Sequence, residues 1–244
     1  MEDIKTLLIG YASIYETADF LPEDPSWFMH QVEGQLNQET LAFIASCLSY
    51  GSRKQFFPKI QYILDCSNGN TYKWVKNGEF DKDIPCEDTC YYRLYSKRTM
   101  NVFLHALKDM IVEHGSIGNY VRQNASDGSS AVAAICGYFS SYGIDGIIPK
   151  DTKSACKRIC MFLRWMVRDN SPVDLGLWSN LIDKRTLIMP MDTHVIQEAC
   201  RLGLSTSRTA SMSAAVKLTA KMGEIFPDDP LLGDFALFGY GVNH

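Results

Sequence analysis

The stretch Ser154-Ala-Cys-Lys-Arg-Ile-Cys-Met-Phe-Leu-Arg-Trp-Met-Val-Arg168 decides how the rest of the chain is read. Ile159, Phe162, Leu163 and Met166 recur at helical spacing and mark one buried face. Lys157, Met161, Arg164 and Arg168 share another face, so a helix is expected from Ser154 onward. Residues 150–169 hold six Lys or Arg (150, 153, 157, 158, 164, 168) against Asp151 and Asp169, a local excess of +4. The whole chain carries -4, so any polyanion would be met by a local basic patch and not by the protein at large. Lys157 falls in the first turn, where the helix dipole and neighbouring cations favour a neutral, nucleophilic amine.

A second stretch, Leu187-Ile-Met-Pro-Met-Asp-Thr-His-Val195, runs into an amphipathic helix extending to Leu202. Asp192 reads in two ways. It is the natural N-cap of that helix, and a carboxylate facing a cleft can also act as a general base or stabilise a cation. Arg164 and Arg168 are equally open: they suit a solvated face, phosphate contacts or pairing with buried acids.

Outward from this centre the pattern is helical. Helices are expected over 2–16, from Asn37 (an apparent N-cap) through Leu48, on to about Leu64, and from Met100 to His114. Further helices are expected over 131–142, 211–224 and 231–240, the last ending at Gly241. Residues 121–130 read as an exposed polar connection, and no period-2 strand pattern stands out, so the fold class is all-α. Ser49-Tyr-Gly-Ser-Arg-Lys54 is a short turn that either grips a phosphate with Arg53 and Lys54 or simply joins two helices. Tyr91-Tyr-Arg-Leu-Tyr-Ser-Lys-Arg98 mixes aromatics and cations, which suits stacking plus phosphate contact or a half-buried element. The eight cysteines show no four-ligand spacing, so no metal cluster and no cofactor are expected, and most thiols are expected to be buried and reduced. The first residues lack the order of a secretory signal and no apolar run is long enough to cross a bilayer, so a cytoplasmic protein without a membrane partner is expected.

Pro190-Met-Asp-Thr-His-Val195 resembles the Pro-Val-Asp-x-His-Val segment of the helix-hairpin-helix (HhH-GPD) DNA glycosylase superfamily, and Leu41–Leu64 resembles its early helix–turn–helix region. Cys156-Lys-Arg-Ile-Cys-Met-Phe-Leu-Arg164 is most similar to the lysine helix of the archaeal 8-oxoguanine DNA glycosylases. Nearly the whole chain looks like a bacterial family of unknown function within or beside that superfamily. Its landmarks here are Ala155-Cys-Lys-Arg158, Met161–Arg168, Asp174-x-Gly-x-Trp178, Asp192-Thr-His194 and Asp229-Pro through Asp234-Phe-Ala-Leu-Phe-Gly239. The chain departs from the superfamily hairpin, since Ile148-Pro-Lys-Asp-Thr-Lys-Ser-Ala155 lacks both glycines, and Tyr50-Gly51 replaces the early Gln-Gln.

The resemblance implies a two-lobed helical fold in one compact unit, lobe A over about 36–142 and lobe B over about 1–30 plus 143–244. Lobe B would hold a hairpin-like stretch, 148–168, and an aspartate segment, 187–202. It implies base excision from damaged double-stranded DNA carrying an oxidised purine, with Lys157 forming a Schiff base and Asp192 assisting. Arg53, Lys54, Lys150, Lys153, Ser154, Arg158, Arg164, Arg168 and His194 would meet the nucleic acid. Tyr50, Trp165 and Trp178 are candidates for a base pocket, or core aromatics. The missing hairpin glycines leave room for a DNA- or RNA-binding protein without chemistry, and the acidic total charge for an interaction scaffold.

Overall fold

The computed structural model describes residues 2–244, with Glu2 by its backbone. The described residues are mostly helical. In chain order they form α1 (Glu2–Tyr15), two 3-10 segments (Ala18–Glu23 and Pro25–Gln31), α2 (Gln35–Leu48), α3 (Arg53–Cys66), α4 (Thr71–Lys76) and α5 (Phe80–Asp83). A two-stranded antiparallel hairpin follows, β1 (Cys90–Tyr92) and β2 (Tyr95–Ser96), then α6 (Lys97–His114), α7 (Ile117–Asn124) and α8 (Gly128–Phe139). The remainder is α9 (Lys157–Val167), α10 (Thr193–Arg201), α11 (Met212–Ile225) and α12 (Leu232–Asn243), with 3-10 turns at Ser140–Tyr142 and Lys184–Thr186. The chain forms two compact units. One comprises the residues up to Pro22, Ser126–Val132 and Thr152–His244, and the other Glu23–Ala125 and Ala133–Asp151.

In the first unit, α9 is the buried axis: every residue from Ile159 to Val167 is buried. α12 packs along α1 and α10. It is apolar nearly all round, contains Gly239, and continues past Gly241, where the sequence suggested a stop. Both glycines are close-approach positions. A β-carbon at Gly239 would collide with the Tyr15 ring, and one at Gly241 would lie 3.1 Å from His194 Cβ. Packing against neighbours outweighs the cost of glycine inside a helix.

In the second unit, α2 is buried on all sides from Glu39 to Leu48, and not on the single stripe that its spacing suggested. Its Phe43 packs with Phe103 and Phe139. α2 begins at Gln35 after Gly34, so Asn37 is not its cap. Asn37 instead accepts the Tyr72 N–H through Oδ1 at 3.1 Å, joining α2 to α4. The polar run 121–130 is mostly helical, because Ser116 caps α7 through the Asn119 N–H at 3.0 Å and Asp127 accepts the Ser130 N–H at 2.8 Å. The hairpin at 90–96 is the strand content that the sequence did not reveal. Its register is irregular between Cys90 and Tyr92 and it is too short to show alternation.

Glu39 is a buried carboxylate whose oxygens accept the N–H groups of Ile117 (2.9 Å) and Gly118 (3.0 Å) at the start of α7. Glu39→Ala would strand two buried donors, so a loss of about 2–4 kcal/mol in urea unfolding is expected, with Glu39→Gln recovering part of it. Equal stability of Glu39→Ala and wild type would contradict this role.

Candidate active site

The site is built from two helix starts. Residues 143–156 contain no helix, and α9 begins at Lys157 directly after Cys156, whose backbone is left-handed (φ 46°). The helix expected from Ser154 therefore starts later, at the lysine itself. The segment Leu187–Met191 is buried and contains no helix or strand, and it is tied to α11 by the Met189 N–H donated to Thr219 Oγ1 at 2.9 Å. It delivers Asp192 to the start of α10. Asp192 Oδ1 accepts the Val195 N–H at 2.9 Å, the N-cap role read from the sequence. Its other oxygen, Oδ2, lies 3.4 Å from Lys157 Nζ. The carboxylate thus performs both roles, one with each oxygen. The Lys157 side chain is 38% exposed and that of Asp192 10%, so the amine is reachable while the acid is held nearly dry.

Beneath the pair lies a buried ionic cluster. Arg164 bridges Asp174 (Nε–Oδ1, 3.2 Å) and Asp234, and Arg168 bridges Asp174, Asp229 (Nη2–Oδ2, 2.8 Å) and Glu16 (Nη2–Oε1, 2.7 Å). Both guanidiniums stack on Phe235, 4.4 Å and 5.1 Å from its centroid. Two cations meet four carboxylates. Burial therefore pushes the Asp234 carboxyl up to about 6, against the pull of Arg164, and the charges of Asp192 and Asp174 push the same way. The burial of Arg164 and Arg168 corrects the expectation that they meet nucleic acid: their guanidiniums are enclosed and engaged by acids. Asp174, Asp229 and Asp234 were visible only as landmarks of the resemblance, and Glu16 carried no signal at all.

The other expected residues are dispersed. His194 is half-buried, with Nδ1 2.8 Å from the Gly241 carbonyl oxygen, so its ring fastens α10 to α12. Trp165 is fully buried with its indole N–H unbonded, and Trp178 packs edge-on against Phe162; both are core aromatics, not pocket walls. In the second unit, Tyr50 is 39% exposed and lies under the Arg93 guanidinium, 4.9 Å away. There Arg53 pairs with Glu23 at 3.3 Å, and Lys54 and Lys150 are exposed. In the first unit Lys153 and Ser154 are exposed and Arg158 is half-buried, all close in sequence to Lys157. A cavity of about 340 Å³ lies elsewhere in that unit, lined by Val167, Asp169 and residues 179–185; its charges pair among themselves, Lys184 with Asp169 and Arg185 with Asp183. Among the described residues no group of three or more His, Cys, Asp or Glu is arranged to hold a metal, and no helix is long and apolar enough to cross a membrane. Cys47, Cys136, Cys156 and Cys160 are buried, whereas Cys86 and Cys90 are exposed.

A helical protein with a lysine and an aspartate joined at two helix starts above a buried arginine–carboxylate cluster is the class that these features define. The chain belongs to the family described as "Protein of unknown function (DUF2400)", whose model matches residues 24–243. No curated protein and no solved structure matches it.

Asp174 bridges both arginines, so Asp174→Ala is expected to cost about 2–4 kcal/mol in urea unfolding, the cost of leaving a buried N–H on each guanidinium without its acceptor. Asp234 has the opposite pH signature from an ordinary paired acid. Its folded value of about 6 lies above its ordinary 3.8, so its contribution to stability is full below 3.8 and is lost as the pH rises to about 6. Asp234→Asn should remove that downward component, leaving a melting temperature that climbs more steeply than wild type across the same window. Parallel profiles for the two proteins would rule it out.

Proposed function

We propose that the protein is a base-excision DNA glycosylase with AP lyase activity, acting on an oxidised purine such as 8-oxoguanine. The observation that carries this reading is the 3.4 Å approach of Lys157 Nζ to Asp192 Oδ2, with the amine accessible and the acid sheltered. The likeness of the lysine helix and of the Pro190–Val195 segment to glycosylases supports it and suggests the substrate class.

In this reading Asp192 takes the proton from Lys157, whose lone pair then attacks C1′ of the damaged nucleotide. As the N–C1′ bond forms, the bond from C1′ to the base breaks and its electron pair leaves with the base, which is protonated. The cationic character that develops at the sugar is stabilised by the Asp192 carboxylate. Departure of the ring oxygen from C1′ gives the Schiff base, and loss of a C2′ proton then expels the 3′-phosphate. The damaged nucleotide must leave the stack to reach the amine. Lys153, Ser154 and Arg158 are the residues near Lys157 in sequence that suit phosphate contact.

A second reading, a DNA- or RNA-binding protein without excision chemistry, is favoured by residues 143–156. They connect to α9 without a helix, and the stretch 148–155 within them lacks the two hairpin glycines through which such proteins contact phosphate.

Borohydride trapping on duplexes carrying 8-oxoguanine or an abasic site separates the readings. Wild type is expected to give a covalent adduct, Lys157→Ala none, and Asp192→Asn a weaker one. Folded wild type that binds the duplex, forms no adduct and releases no free base would select the second reading.

A further inference from the structure

Asp192 is placed by the chain that leads to it. The residues just before it, Leu187–Met191, are buried but belong to no helix or strand, so no regular ladder of backbone hydrogen bonds sets their position. Contacts from two helices of the same unit hold them instead. At the upstream end the Gly128 N–H, at the start of α8, donates to Thr186 Oγ1 at 2.8 Å. α8 comes so close there that a β-carbon on Gly128 would lie 2.4 Å from the Thr186 carbonyl oxygen. In the middle, Thr219 on α11 accepts the Met189 N–H at 2.9 Å.

Thr219 is suited to fixing a position. Its hydroxyl donates to the Ala215 carbonyl, one turn back in α11 and 2.8 Å away. That bond selects the rotamer and leaves the oxygen lone pairs to face the Met189 N–H. The N–H it holds belongs to the residue before Pro190. Proline fixes its own φ and restricts the residue ahead of it, so Met189 and Pro190 form a stiff pair. Only Pro190 and Met191 separate Met189 from Asp192, and a shift at Met189 is carried on to the carboxylate. The carboxylate has little room for error. Oδ1 caps Val195 at 2.9 Å, while Oδ2 lies 3.4 Å from Lys157 Nζ, at the outer end of hydrogen-bonding range.

We propose that Thr219 is a positioning residue for the Lys157–Asp192 pair: through Met189 it sets where the Asp192 carboxylate stands against the lysine amine, with Gly128 as the stop at the upstream end. Both partners of the Thr219 hydroxyl are backbone groups, so its effect on the reaction passes through Asp192. A reacting group misplaced by about 1 Å can cost on the order of a hundredfold in rate. This inference rests on the excision reading proposed above.

The test is single-turnover borohydride trapping on an abasic duplex, with duplex affinity and thermal melting measured on the same proteins. Thr219→Val keeps the shape and removes the acceptor. It is expected to slow trapping by about tenfold to a hundredfold while affinity stays within about twofold of wild type. Thr219→Ser keeps the hydroxyl and should recover most of the rate. On an Asp192→Asn background Thr219→Val should cost nothing further, a non-additivity that general damage to the fold would not give. Amide exchange reads the same displacement without DNA: Thr219→Val should speed exchange at Val195, whose N–H Asp192 caps, and leave Ala199 in the middle of α10 unchanged. Thr219→Val that traps at the wild-type rate, with the wild-type adduct present, overturns the inference alone. So does a loss that falls equally on rate and affinity, or one that repeats in full on the Asp192→Asn background. Folded wild type that forms no adduct overturns the inference together with the excision reading.

Discussion

Two guanidiniums at the end of one helix hold the site-bearing unit together. Arg164 lies in the last turn of α9 and Arg168 caps its end, and they collect Glu16 after α1, Asp174 in the loop beyond α9, Asp229 before α12 and Asp234 within it. Each of these segments must be placed correctly for the charges to be satisfied, because a buried guanidinium without its acid is far costlier than a missing surface pair. The cluster fixes α9 relative to α1 and α12. α12 in turn fixes α10 through His194 and the Gly241 carbonyl.

The Lys157–Asp192 geometry follows from that frame. Both residues stand at helix starts, Lys157 as the first residue of α9 and Asp192 as the cap of α10. Asp192 spends one oxygen on its own helix, which orients the other toward the amine. The polar groups that support the pair are themselves supported, and this is the arrangement by which a protein holds reactive side chains in place without relying on loops.

Much of the helical content was legible in the sequence, because periodicity reports a helix wherever one face is apolar. α1, α3, α6 and α11 follow that rule. Other features depend on distant partners. Asn37 has the chemistry of a cap but is used by Tyr72, the polar composition around α7 hid a helix held by Ser116, and glycines inside α12 are tolerated because other side chains fill the space. The face shared by Lys157, Arg164 and Arg168 was correctly grouped. Whether it met water or acids could not be read locally, since the acids lie up to 152 residues away. The approach of Lys157 to Asp192, 35 residues apart, likewise has no local signal and followed only from the resemblance.

The Arg168–Glu16 pair joins an early segment of the chain to a late one. During synthesis the second unit is complete once Asp151 has emerged, and its core can close while the ribosome is still at work. The first unit has no such option. α1 is made early and cannot bury its apolar face until α12 arrives, and the two arginines remain without Asp229 and Asp234 until that same moment. Its folding is therefore a late, long-range closure, and the helix that carries the lysine reaches its final electrostatic surroundings last.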